Sequence, residues 1–238
     1  MTSSEIDTAM VLAAGLGTRM KPLTNDTPKP LLRVAGSTLL DRTLSRAREI
    51  GVARAVVNAH YLSDQVRAHL CDDRDVLLSD ETDHLLETGG GVKKALALID
   101  RPAFLVVNSD NVWTGAAALQ PLLDAWRPET MDALLLMVPI ENARGYTRAG
   151  DFSLDPDGRL VRRGDALRAP FVYTGAQILS AEAFDGAPEG PFSLNLVWDA
   201  LIARGRAFGC AHAGGWVDVG TPEGITTAEA ALAEAGEL

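Results

Sequence analysis

The sequence predicts a single α/β domain: a Rossmann-like mixed, mostly parallel sheet with helices on both faces. Three observations carry this. Short apolar runs alternate with segments of helical periodicity. Hydrophobic residues make up 47% of 238, enough for a sizeable core. A fully apolar run, Ala103 to Val107, ends in Asn108-Ser109-Asp110-Asn111, the pattern of a central parallel strand that reaches a ligand crevice. No long linker, repeat or low-complexity run divides the chain, so 1–238 reads as one domain.

The elements follow in order. Ala9 to Ala14 is a buried strand that ends in Gly15-Leu16-Gly17-Thr18, a turn whose small residues let backbone N–H groups approach a phosphate. Arg19, Lys21 and Lys29 then cluster positive charge, which suits a nucleoside triphosphate or a sugar phosphate. A P-loop is excluded, because Gly17 is followed by Thr18-Arg19 rather than by Lys and a hydroxyl residue. A dinucleotide fingerprint is excluded because Met20 stands where its third glycine belongs. A lone Gly-x-Gly is more often an ordinary strand-to-helix turn with solvated cations.

Ser37 or Thr38 can cap a helix from Leu39 to Ile50 that closes at Gly51. Arg54 to Asn58 is a strand, Ser63 can cap a helix from Asp64 to Leu70, and Val76 to Ser79 is a third strand. Glu87-Thr88-Gly89-Gly90-Gly91 precedes a helix from Val92 to Leu98, a place where backbone N–H groups are open to a ligand or the chain is a flexible turn. Asp110 is either a ligand-facing carboxylate or an Asx turn. Asp132 to Pro139 is another strand, and Pro156-Asp157-Gly158 marks a hairpin. Phe171 to Leu179 is a strand, Pro191 to Ala203 a helix that Ser193 can cap, and Phe208 to His212 a strand. Pro222 suits the first turn of a last helix, Glu223 to Ala235.

Composition narrows the function. A net charge of −10 argues against a nucleic-acid partner and leaves the basic opening stretch as a local site for a small anion. The two cysteines, Cys71 and Cys210, lack metal-like spacing and read as inert thiols of a reducing, cytoplasmic compartment. Met1 to Asp7 is polar and acidic, without the pattern of a signal peptide, and no apolar run is long enough to span a bilayer.

Leu12-Ala13-Ala14-Gly15-Leu16-Gly17-Thr18-Arg19-Met20, with Pro22-Leu23-Thr24 and Pro28-Lys29-Pro30-Leu31, resembles the signature of the sugar-1-phosphate nucleotidyltransferases. Trp216-Val217-Asp218-Val219-Gly220-Thr221-Pro222 is similar to a second run that recurs in that family. The resemblance implies a glycosyltransferase-A-like nucleotidyltransferase fold, with a nucleotide-binding half at about 8–140 and a sugar-binding half at about 141–238. It implies that Leu12, Ala13, Ala14, Gly15, Gly17, Thr18, Glu87, Thr88, Gly89 and Asn108 bind nucleotide. Arg19 and Lys29 take the catalytic positions, Asp151, Thr174 and Gly175 the sugar pocket, and Asp110 and Asp218 hold Mg²⁺.

Glu87-Thr88-Gly89-Gly90-Gly91 and Val112-Trp113-Thr114 resemble the branch that joins UTP to a muramate 1-phosphate in peptidoglycan recycling. A sugar-phosphate Lys found in many relatives is missing near Val161-Arg162-Arg163-Gly164, which leaves open whether Arg162 or Arg163 replaces it. Heptose, mannose or glucose 1-phosphate with GTP or dTTP, phosphocholine with CTP, and a non-catalytic nucleotide-sensing subunit are the competing readings. No repeat of a β-helical tail follows the last helix, and oligomeric state is left open.

Overall fold

The computed structural model describes residues 6–238, so most of the polar segment Met1 to Asp7 lies outside the described residues. In chain order the elements are β1 (Thr8–Leu12), β2 (Arg33–Val34), β3 (Ser37–Thr38), α1 (Leu39–Glu49), β4 (Arg54–Ala59), α2 (Ser63–His69) and β5 (Val76–Asp80). Then come α3 (Glu87–Ile99), β6 (Ala103–Asn108), β7 (Asn111–Trp113), α4 (Gln120–Ala125), β8 (Ala133–Pro139) and β9 (Ala143–Arg144). The last part holds β10 (Phe152–Leu154), β11 (Leu160–Arg162), β12 (Phe171–Ser180), α5 (Leu194–Ala203), β13 (Ala207–Ala211), β14 (Trp216–Asp218) and α6 (Pro222–Glu234).

One mixed sheet runs through the molecule in the order β11-β10-β12-β6-β1-β4-β5, with β8 also pairing β12 and β13. Its core is parallel, β6-β1-β4-β5, as the alternating pattern requires. Beyond β6 the sheet turns antiparallel at β12, which pairs both β6 and β8 and carries the β10–β11 hairpin. Alternate side chains of the central strands go to opposite cores. Ala9, Val11, Leu105 and Val107 pack with α1, α2 and α4 on one face, while Met10, Phe104 and Val106 pack with α3 and α5 on the other. A third cluster seats α6 on Val217 and Val219. Among the described residues no helix is long and apolar enough to cross a membrane.

The starts of α2, α3 and α5 differ from expectation. Ser63 does not cap α2: it is the helix's first residue, and Leu62 before it turns the chain in the left-handed region at φ 49°. Helix α3 begins at Glu87 rather than at Val92, so the three glycines lie inside its first turns. They are there for packing. A Cβ on Gly89 would meet the Phe192 ring at 2.4 Å, one on Gly90 the Gly190 carbonyl at 2.3 Å, and one on Gly91 both Asn58 Nδ2 and Glu81 Oε1 at 2.8 Å. Helix α5 starts at Leu194, not Pro191, with Ser193 as its cap, accepting from the Asn195 N–H.

Candidate active site

The carboxyl ends of β1, β4, β5 and β6 are tied together. Leu12 O accepts from both the N–H and the hydroxyl of Ser109, at 3.1 and 2.9 Å. Asn58 Oδ1 accepts from the Ala13 N–H at 2.7 Å, and Asn58 Nδ2 donates to Glu81 Oε1 at 2.7 Å. The other Glu81 oxygen accepts from the Leu86 N–H at 3.2 Å. These bonds fix the Gly-rich turn and the start of α3 as two walls of a cavity of about 380 Å³. Leu12, Ala13, Ala14, Gly15, Lys29, Glu87, Thr88, Asn108 and Asp110 line it, so most of the nucleotide-binding residues expected from sequence meet in one place.

Three do not line it. Gly17, at φ 62°, shapes the turn: its carbonyl accepts from the Thr24 hydroxyl at 2.9 Å, and a Cβ there would lie 2.9 Å from Thr24 Cγ2. Thr18 opens a 3₁₀ turn on the exposed side. Gly89 is buried, and its N–H donates to Phe192 O at 2.8 Å.

A second lobe of about 350 Å³ adjoins the first, with Thr88, Asn108, Asp110 and Ser193 lining both. Arg19, Asp151, Gly175 and Asp218 line it. Gly175 sits at φ 85°, and a Cβ there would meet Asn111 Nδ2 at 2.3 Å. The Asp151 carboxylate accepts from the Tyr146 hydroxyl at 2.9 Å and the Tyr173 N–H at 3.0 Å, so it braces the lobe's wall. Thr174 is not in the lobe: its side chain is buried and donates to Leu136 O at 3.0 Å. Of the two arginines left open by sequence, Arg162 lines the lobe and Arg163 is exposed outside it.

Asp110 stands where the lobes join. Lys29 Nζ donates to its Oδ2 at 2.7 Å. Its backbone carbonyl accepts from the Val219 N–H at 3.0 Å, and β7 pairs antiparallel with β14, Asn111 opposite Asp218. Two distant stretches of chain therefore bring two carboxylates to one spot. The Asp218 carboxyl is pushed above the usual range, by burial first and then by the charge of Asp110; Lys29, Arg19 and Arg148 pull the other way. Among the described residues no hydrogen bond or ion pair reaches that carboxylate. Gly220 keeps open the space between Arg19 and Asp218: a Cβ there would fall 2.9 Å from Arg19 Nη1 and 3.0 Å from Asp218 Oδ1.

The donor set suits a hard divalent cation that takes few protein oxygens and completes its shell with water and phosphate. Among the described residues no group of three or more His, Cys, Asp or Glu is arranged to hold a metal ion. A larger open depression, about 740 Å³, lies between α1 and the C-terminal residues. Its arginines are already engaged: Arg42 on the carbonyl of Val34, and Arg46 with Glu49 and Glu237.

Asn58, Ser193, Arg148, Tyr173 and Trp198 belong to the site without having been singled out for it. Asn58 was within reach, being polar at the carboxyl end of a parallel strand, where ligands gather. Arg148 and Trp198 carry no local signal.

Known proteins resemble this chain in sequence and in fold. The model of the MobA-like NTP transferase domain matches residues 9–176. An N-acetylmuramate alpha-1-phosphate uridylyltransferase from Caulobacter vibrioides is 46% identical over 95% of this chain and 97% of its own. One from Neisseria meningitidis serogroup B is 39% identical over 90% of this chain and 93% of its own. The crystal structure of HddC from Yersinia pseudotuberculosis complexed with GMP-PN superposes with a TM-score of 0.76 over 94% of this chain and 99% of that one, at 23% identity, and so shares the fold.

Proposed function

The chain belongs to the family of MobA-like NTP transferase domains, and from that premise we propose that it joins UTP to N-acetylmuramate 1-phosphate. The products are UDP-N-acetylmuramate and pyrophosphate, and the role is cytoplasmic peptidoglycan recycling. The observation that carries the transfer is the meeting of the two lobes at Asp110, with Lys29, Arg19 and Asp218 around it. The choice of base and sugar is supported by the relatives from Caulobacter and Neisseria, aligned over nearly their whole length.

In this reading the first lobe takes the nucleotide and the second the sugar phosphate. Backbone from Leu12 to Gly15 and the start of α3 hold the base and ribose, with Asn58 fixing the Ala13 amide. A sugar-phosphate oxygen attacks the α-phosphorus in line, that P–O bond forms, and the bond to the pyrophosphate oxygen breaks. The attacking phosphate is already ionised near neutral pH, so repulsion and alignment are the obstacles. Lys29 reaches the junction and neutralises charge on the α-phosphate and the incoming phosphate. Arg19 neutralises the departing pyrophosphate. Asp110 and Asp218 would hold Mg²⁺, which when bound screens the phosphate oxygens.

The four charged residues converge in one place, which favours an enzyme over a nucleotide-sensing subunit. The test is pyrophosphate release with Mg²⁺ across UTP, CTP, GTP and dTTP and a panel of sugar 1-phosphates. Preference for UTP with N-acetylmuramate 1-phosphate is the expected result. Preference for another pair would keep the chemistry and overturn the substrate.

A further inference from the structure

N-Acetylmuramate differs from N-acetylglucosamine by one lactyl ether, which adds a carboxylate and a methyl group. The second lobe holds two arginines beyond Arg19: Arg148 and Arg162. They are not equivalent. Arg148 lies over the Tyr146 ring, its guanidinium 4.9 Å from the ring centre, and its charge is among those felt at Asp218. Arg162 stands at the aromatic wall, its guanidinium 4.9 Å from the centre of the Phe152 ring and 5.6 Å from that of Trp198. Its Nε donates to Asp199 Oδ1 at 2.8 Å and its Nη2 to Asn195 O at 3.2 Å. Nη1 has no partner among the described residues. The Asp199 side chain is 63% exposed, so solvent screens the pair, which aims the guanidinium more than it cancels its charge.

We propose that Arg162 determines sugar specificity by binding the lactyl carboxylate through the Nη1–Nη2 edge of its planar fork, with Trp198 against the methyl group. This rests on the muramate reading of the site. It also gives Arg162 a different task from replacing a sugar-phosphate lysine.

The experiment compares two sugars that differ only in the lactyl group, N-acetylmuramate 1-phosphate and N-acetylglucosamine 1-phosphate, each with UTP. Enzyme is raised until the slower sugar can be followed. For Arg162→Met, kcat/KM with the muramate falls on the order of 10²-fold while that with the glucosamine changes less than about 3-fold. Arg162→Lys, which keeps the charge and loses the fork, lies between. Equal losses with both sugars would assign Arg162 to the shared phosphate and overturn the proposal, as would no loss with either. If Arg162→Met does not fold, Asp199→Ala keeps the arginine and frees it: a higher KM for the muramate alone supports the proposal, and an unchanged KM refutes it. A wild-type enzyme that ignores N-acetylmuramate 1-phosphate would instead overturn the muramate reading, before any variant is made.

Discussion

Lys29 Nζ rests 2.7 Å from Asp110 Oδ2, while Asp218, lining the same lobe, has no cation in contact. One carboxylate of the pair is neutralised by the protein and the other is left for something else to neutralise. Lys29 therefore faces two tasks, holding Asp110 before substrates arrive and meeting phosphate afterwards. Lys29→Ala is expected to lower turnover by at least roughly 10²-fold, the effect of losing one electrostatic stabiliser. Pyrophosphate release at saturating substrates measures it, and near-wild-type turnover would remove Lys29 from the chemistry.

Asp218 gives a pH prediction. Its carboxyl pKa is raised in the folded state, so ionised Asp218 costs stability above that raised value. The cost disappears as pH falls through it. Asp218→Asn is expected to raise Tm by a few degrees at neutral and alkaline pH, with the advantage fading in acid, while activity falls. Melting curves across pH, without added metal, decide this; a variant that melts below wild type at alkaline pH contradicts it.

Gly220 separates Arg19 from Asp218. Gly220→Ala puts a methyl group against the mobile ends of both side chains, which can move aside at little cost to the fold. Displacing them is expected to cost on the order of 10-fold or more in kcat/KM with Tm nearly unchanged. A matched fall in Tm would mean that the backbone, not the side chains, had yielded.

Gly89 makes the opposite prediction. The methyl group of Gly89→Ala would meet the Phe192 ring at 2.4 Å and the Phe192 carbonyl at 2.9 Å, neither free to retreat. Destabilisation of about 1–3 kcal/mol is expected. Urea unfolding would measure it, and unaltered stability would show that α3 is not clamped on Phe192.

The parts of the site that are contiguous in the chain are legible in the sequence. The Gly-rich turn, Lys29, Asp110 and Asp218 each sit in a local string with its own pattern, and the parallel core follows from alternating apolar runs. The rest depends on long-range contacts. Asn58 matters because it pairs with Ala13 across the sheet and with Glu81 on the next strand, and nothing beside it in the chain announces either partner. Thr174 shares a strand with Gly175, yet the period of two sends its side chain into the core. The glycines of α3 looked like ligand space because sequence alone cannot tell which backbone comes close, and here it is the chain near Phe192.

The shared wall of the two lobes has a kinetic consequence. Thr88, Asn108, Asp110 and Ser193 face both, and the Thr88 hydroxyl accepts from the Leu194 N–H at 2.9 Å, so this partition is stitched from both sides. A nucleotide-sugar lying across it occupies the ground of both reactants at once. Such a product would compete with each of them, and the rate at which it departs would then set a ceiling on the cycle that no improvement of the bond-making step could lift.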